Sequence, residues 1–273
     1  MKIETILTPA ELPALAQCDL RATACVVFDV LRATSTFVTA LHHGAKAIIP
    51  VSEIAEALEI QKAEVGRQKS EGILLGGERN GVRISANGID FDLGNSPREY
   101  GPEKVRGKTI VSTTTNGTHA LRACANAQTV LAAAFLNLTA TAQFIRQQNF
   151  ETILLVCAGT GENQADEDVL AAGALCELLV GQDSVEPILS SREIRDQGTL
   201  APPREIDLSD STQIARQAWL EAKPDLAAAV GRSQNGQRLL AIPELCDDVA
   251  FCLQRDTCPL VAEMQADGAI HRL

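Results

Sequence analysis

Short apolar runs alternate along this chain with longer stretches of helical spacing. The alternation predicts an α/β fold, a mainly parallel sheet layered with helices. Strand candidates are residues 24–28, 47–51, 73–75, 109–112, 129–132 and 152–157. Ser52 is placed to cap a helix from 53 towards 70, and Asn137 one from 138 to about 148, because their side chains can accept orphan N–H groups. Asp166, Glu167 and Asp168 precede the apolar helical run 169–180, where acids favour the positive end of the helix. Residues 76–102 break the pattern with Gly, Asn, Ser and Pro, which predicts a long and functional loop. The polar stretch 190–210, with Pro202 and Pro203, reads as a lid or linker before a helical run containing Ile214 and Trp219. No internal repeat or low-complexity tract interrupts this order, so residues 1–273 are expected to form one domain. A division near 135–150 would leave two α/β subdomains flanking a cleft.

The polar positions that break the apolar runs carry the chemistry. Val26-Val27-Phe28 opens into Asp29, Arg32 and the hydroxyls of Thr34, Ser35 and Thr36. In an open parallel sheet that edge is where ligands sit, since strand ends and helix starts converge there. The same vocabulary returns in Gly76-Gly77-Glu78-Arg79-Asn80-Gly81, in Gly94-Asn95-Ser96-Pro97 and in Ser112-Thr113-Thr114-Thr115-Asn116-Gly117-Thr118, which leads into a helical pattern near His119. Four segments of this kind predict one shared site, suited to a phosphate beside a metal ion. Asp29 can bind Mg²⁺ or attack phosphorus, and its plain alternative is a helix cap or an ion pair with Arg32. Arg32 offers a planar fork that fits phosphate, against a plain surface salt bridge. Glu167 and Asp168 read equally as metal ligands or as acids at a helix start.

Composition narrows the function. Apolar residues make up 45% and aromatics 3%, so Ala, Leu, Val and Ile must fill the interior. A formal charge of −11 opposes a nucleic-acid partner, whose binding rests on cationic contacts to phosphates. A small phosphorylated anion is still accommodated if metal, arginine and backbone N–H groups make a local positive site. The 8 cysteines show no CxxC pair and no secretory leader precedes them, which predicts reduced thiols and a cytoplasmic protein. Cys25 and Cys157 lie in apolar runs and read as core residues. No apolar stretch approaches the roughly 20 residues that cross a bilayer, so no membrane is expected. The four histidines lack zinc-ligand spacing, whereas oxygen ligands favour a hard ion such as Mg²⁺. Cys157-Ala158-Gly159-Thr160-Gly161 lacks the third glycine of a dinucleotide loop and the lysine of a P-loop. A homodimer is the base-rate expectation.

The ordered set of motifs resembles the 2-phosphosulfolactate phosphatase family. The resemblance rests on residues 28–35, 76–79, 91–97 and 113–118, extended by Cys157-Ala158-Gly159, Glu167-Asp168, Ala172-Gly173 and a closing segment at Asp247-Asp248-Val249. It covers nearly the whole chain, most weakly over 182–236, and departs from the family's pattern at Asp90, where Gly is more usual. It implies a Mg²⁺-dependent acid phosphatase converting 2-phosphosulfolactate to 3-sulfolactate and inorganic phosphate, a step of coenzyme M synthesis.

On this reading Asp29 and Arg32 are catalytic, and Ser35, Arg79, Asn95, Ser96, Thr114, Thr115, Asn116 and Gly117 hold the substrate. Asp29, Glu78, Glu167 and Asp168 hold the metal. Either a water attacks the phosphoryl group in line or Asp29 is itself the nucleophile. The competing classes are a non-catalytic sensor of phosphorylated or sulfonated metabolites, a phosphatase for another small 2-phospho-acid, and a transferase on a doubly wound sheet.

Overall fold

Strand 23–28 shows why the apolar runs become the middle of a sheet. Cys25 and Val27 enter one apolar core and Ala24, Val26 and Phe28 the other, all with no solvent exposure. Successive side chains leave a strand on opposite faces, so a strand covered on both faces must be apolar at every position. The computed structural model describes residues 1–65, 72–86, 88–181 and 206–273.

Chain order begins with β1 (Lys2–Ile6), a 3-10 segment (Pro9–Gln17), β2 (Thr23–Phe28), α1 (Ala33–His42), β3 (Ala47–Val51) and α2 (Ile54–Val65). The region expected as one long loop is largely ordered backbone. In it β4 (Ile73–Arg79) extends past the apolar 73–75, and β5 (Val82–Arg83), β6 (Ser85–Ala86) and β7 (Ile89–Asp90) follow. Then come α3 (Pro102–Val105), β8 (Thr109–Thr113), α4 (Gly117–Ala123), β9 (Thr129–Ala133), α5 (Leu138–Gln147), β10 (Thr152–Cys157) and α6 (Asp166–Val180). The described chain resumes with β11 (Asp207–Leu208), α7 (Asp210–Ala222), α8 (Leu226–Val230), α9 (Gln234–Leu240) and α10 (Cys246–Cys252), and ends with β12 (Ala262–Met264) and β13 (Ile270–Arg272). The expected lid or linker at 190–210 and the expected end of the second helix near 70 lie mostly outside the described residues.

The sheet order is β11-β1-β10-β2-β9-β12-β13-β3-β8-β4-β5. It contains two parallel blocks. In the first, β10 runs between β1 and β2, and β9 runs beside β2; in the second, β8 runs between β3 and β4. The hairpin of β12 and β13 pairs antiparallel with β9 on one side and β3 on the other, and so joins the blocks. The fold is therefore α/β as expected, with antiparallel strands in the middle of the sheet.

Two local details correct the sequence expectations. Asn137 does not cap α5 through its side chain. Its Oδ1 accepts the Ala134 N–H at 2.9 Å and its amide donates to the carbonyls of Ala132 and Leu260, so it ties β9 to the segment before β12. Asp29 makes its ion-pair partner neither of Arg32 nor of any other cation among the described residues, since Arg32 pairs with Asp248. Gly173 lets α6 and α7 approach closely, because a Cβ there would lie 2.1 Å from the Ala215 carbonyl oxygen. Trp219 of α7 is fully buried against that contact. All eight cysteines are free thiols, and Cys25 and Cys157 are fully buried.

Candidate active site

Register brings the polar loops together. Phe28 is level with Cys157, and Gly77 with Thr113, so Asp29 leaves β2 beside the loop after β10 while Glu78 leaves β4 beside the loop after β8. Between these carboxyl ends lies a cavity of about 260 Å³. Asp29, Leu31 and Arg32 line it from the turn after β2, and Glu78, Asn80 and Gly81 from the β4–β5 turn. Asn95, Thr115 and Asn116, then Thr160 and Gly161, then Asn235, Arg238 and Leu239 of α9 complete the wall.

Asp29 is nearly buried, and its Oδ1 accepts the N–H of Ala33 at 3.0 Å, so the acid also ties the start of α1. Burial, with the nearby carboxylates of Glu78 and Glu167, pushes its pKa up to about 7 against the N–H groups of Ala33 and Gly117. Gly117 has no side chain to spare here: a Cβ would stand 2.5 Å from Asp29 Oδ2. Glu78 accepts the N–H and the hydroxyl of Thr115 on Oε1, each at 2.8 Å, and the Gly81 N–H on Oε2 at 2.5 Å. It thereby holds the β4–β5 turn against the loop after β8.

Asp168 accepts the Val30 N–H at 2.8 Å and the Gly159 N–H at 3.0 Å, one on each oxygen. It clamps the turn after β2 to the loop after β10, and burial beside Asp29 and Glu167 raises its pKa well above the usual carboxylate range. Glu167 is likewise raised by burial, although Asn235 donates to its Oε1 at 2.7 Å. Its Oε2 is buried without a hydrogen-bond partner, as is Oδ1 of Asn95.

Arg32 is 4% exposed and fixed by two bonds: Nη1 meets Asp248 at 2.6 Å and Nη2 donates to the Gly81 carbonyl at 2.8 Å. Asp248 also accepts Ser96 Oγ at 2.7 Å and Arg98 Nε at 2.8 Å. This buried node locks the turn after β2 to α10.

The structure thus brings Asp29, Arg32, Glu78, Asn95, Thr115 and Asn116 to one cavity, with Gly117 and Glu167 packed at its edge. Three expected substrate ligands face elsewhere. Ser35 donates to the Val30 carbonyl, the Thr114 hydroxyl accepts the Thr118 N–H, and Ser96 is spent on Asp248. Arg79 also turns away, donating to the carbonyls of Glu78 and Ser52 and to Thr113 Oγ1. Sequence reasoning missed Asn80, Asn235, Arg238 and the role of Asp248. Of these, Asn80 and Asp248 sat in motifs that the sequence singled out, and Asn235 and Arg238 did not.

Comparison with known proteins places the chain among the phosphoric monoester hydrolases. A family model described as 2-phosphosulpholactate phosphatase matches residues 7–267. A protein of Caldanaerobacter subterraneus subsp. tengcongensis named probable 2-phosphosulfolactate phosphatase is 37% identical over 249 residues, 90% of each chain. Proteins with the same name are 46% identical in Thermotoga maritima, over 62% of this chain and 68% of that one, and 34% identical in Carboxydothermus hydrogenoformans, over 96% and 93%. The chain belongs to the 2-phosphosulpholactate phosphatase family. Among the described residues no helix is long and apolar enough to cross a membrane.

Proposed function

We propose that this protein hydrolyses 2-phosphosulfolactate to 3-sulfolactate and inorganic phosphate with Mg²⁺. The observation that carries the reading is that Asp29 and Glu78 line one cavity with Glu167 and Asp168 buried behind it. Burial raises the pKa of Asp29, Glu167 and Asp168, helped at Asp29 by Glu78 and Glu167 and at Asp168 by Asp29 and Glu167. Buried carboxylates that repel one another are the donor set a hard cation relieves. The buried Glu167 Oε2 has no hydrogen-bond partner, which leaves it free to take a cation. Among the described residues no three His, Cys, Asp or Glu side chains are grouped to hold a metal ion, so Mg²⁺ would have to be held by one or two carboxylates plus waters and substrate oxygens.

Asp29 and Glu167 are the residues that would hold Mg²⁺, with Glu78 and Asp168 fixing the loops around them. When bound, the ion supplies charge neutralisation at the phosphoryl oxygens. The chain's own residues do the rest. Asn80, Asn95, Asn116 and Thr160 line the cavity with uncharged donors that orient the phosphoryl group. Arg32, kept rigid by Asp248, adds a fixed positive field. With the cation in place Asp29 would be ionised, and two routes are open to it. One is attack on phosphorus, with the ester P–O bond breaking and the leaving oxygen taking a proton from water; the other is orienting a water for that displacement. Monoester hydrolysis demands accelerations up to about 10²¹-fold, and preorganised charge is the main source of such factors.

The test is phosphate release from 2-phosphosulfolactate, 2-phospholactate and phosphoglycolate, with Mg²⁺ and with chelator. Mg²⁺-dependent release fastest from 2-phosphosulfolactate supports the reading. Faster release from another 2-phospho-acid moves the substrate, and thermal stabilisation by these compounds without any release favours the sensor.

A further inference from the structure

Arg32 and Arg238 are the two guanidinium groups that line the cavity, and they are not equivalent. Arg32 is buried and fixed, one terminal nitrogen bonding Asp248 and the other the Gly81 carbonyl, with Asp248 shared by Arg98. Arg238 is exposed on α9 and makes no hydrogen bond or ion pair among the described residues. Two observations place it at the cavity wall. Asn235, three residues earlier on the same helix face, donates to Thr160 Oγ1 at 2.6 Å and to Glu167 at 2.7 Å, which anchors α9 against the acids. The guanidinium itself lies over the Gly81 turn, where a Cβ would come within 3.0 Å of Arg238 Nη2. That turn is the one whose N–H binds Glu78 and whose carbonyl binds Arg32.

We infer that Arg238 binds the oxyanion of the substrate that is not transferred, its carboxylate or sulfonate, and so selects phospho-acids over plain phosphate monoesters. The inference rests on the proposed function and names the specificity residue of that site. A substrate bearing a phosphate and further anionic groups enters a cavity whose walls include Asp29 and Glu78, while Arg32 is held in place by Asp248 and the Gly81 carbonyl. A metal at the buried acids would serve the phosphoryl end only. The remote anion then needs its own cation, and Arg238 is the uncommitted one at the wall. Its planar fork matches the paired oxygens of a carboxylate or sulfonate, a fit that a lysine reproduces in charge but not in geometry.

The experiment compares wild type, Arg238→Gln and Arg238→Lys on 2-phosphosulfolactate, 2-phospholactate and isopropyl phosphate. Arg238→Gln is expected to lower kcat/KM for 2-phosphosulfolactate about tenfold or more beyond its effect on isopropyl phosphate, mainly through KM, since a charge-assisted hydrogen bond is of that order. Arg238→Lys is expected to recover part of the loss. A penalty on 2-phospholactate assigns the contact to the carboxylate, and its absence there assigns it to the sulfonate. Equal losses on all three esters, or none, overturn the inference. Calorimetric titration with sulfolactate and with inorganic phosphate gives a readout independent of turnover. Selective weakening of sulfolactate by Arg238→Gln supports the inference even if no ester is hydrolysed, which would sink only the proposed function. A wild type that binds no sulfolactate overturns it.

Discussion

Gly117 stands against Asp29 so closely that a Cβ on the glycine would lie 2.5 Å from the carboxylate Oδ2 and 2.7 Å from the Ala33 methyl. Gly117→Ala must therefore push the acid or the start of α1 aside. A displacement of about 1 Å at a reacting group costs about 100-fold. We expect kcat/KM to fall by about that factor with little change in the folded fraction, checked by steady-state phosphate release and circular dichroism. An alanine variant with wild-type turnover would detach Asp29 from the chemistry.

Asp248 should matter more for stability than its remoteness suggests. It is fully buried and holds Arg32, Ser96 and Arg98 at once. Asp248→Ala leaves the Arg32 guanidinium buried without its counter-charge, a change that typically costs about 3–5 kcal/mol. Urea unfolding is expected to show a lower midpoint at unchanged slope.

Arg79→Lys separates a loop brace from a phosphate grip. The guanidinium donates to two carbonyls and to Thr113 Oγ1, away from the cavity wall. The lysine variant is expected to lose about 1–2 kcal/mol of stability, the worth of one or two such bonds. Its KM should stay within about threefold of wild type. A tenfold rise in KM would return Arg79 to the substrate.

The acid cluster sets a pH dependence in the metal-free protein. Burial and neighbouring carboxylates raise the folded-state pKa of Asp29 to about 7 and also lift Glu167 and Asp168. Between the unfolded carboxylate pKa near 4 and the raised folded value, the native state holds more protons than the unfolded chain, so stability falls as pH rises through that window. The metal-free Tm is expected to be higher at pH 5.5 than at pH 8. Mg²⁺ is expected to raise it more at pH 8, where the acids are ionised. Equal metal effects at both pH values would remove the cluster as the binding site.

Local sequence showed the inner parallel strands because each must be apolar on two faces, as Ala24 through Phe28 are. It missed β1, whose polar Lys2, Glu4 and Thr5 are interspersed with apolar residues beside the two-residue β11. It hid β12 and β13, which are three residues each and take their place from pairing with β9 and β3. Asp29 and Glu78 were legible as cavity residues because each charge ends an apolar strand run, whereas Glu167 read equally as an acid at a helix start. Arg79 misled because sequence gives side-chain type and not direction: β4 continues to Arg79, and its guanidinium crosses to Thr113. Asp248 and Asn235 act on residues 216 and 68 positions away, a distance at which no local pattern carries information.

The hairpin of β12 and β13 gives the sheet an unusual dependence on its last strands. The β2 and β4 edges that supply Asp29 and Glu78 belong to separate parallel blocks, and residues 262–272 are the backbone seam between them. During synthesis the two halves can each assemble early, but the seam emerges from the ribosome only after both are made. A chain stopped before residue 262 would keep its acids and lose the backbone suture that holds them in one frame.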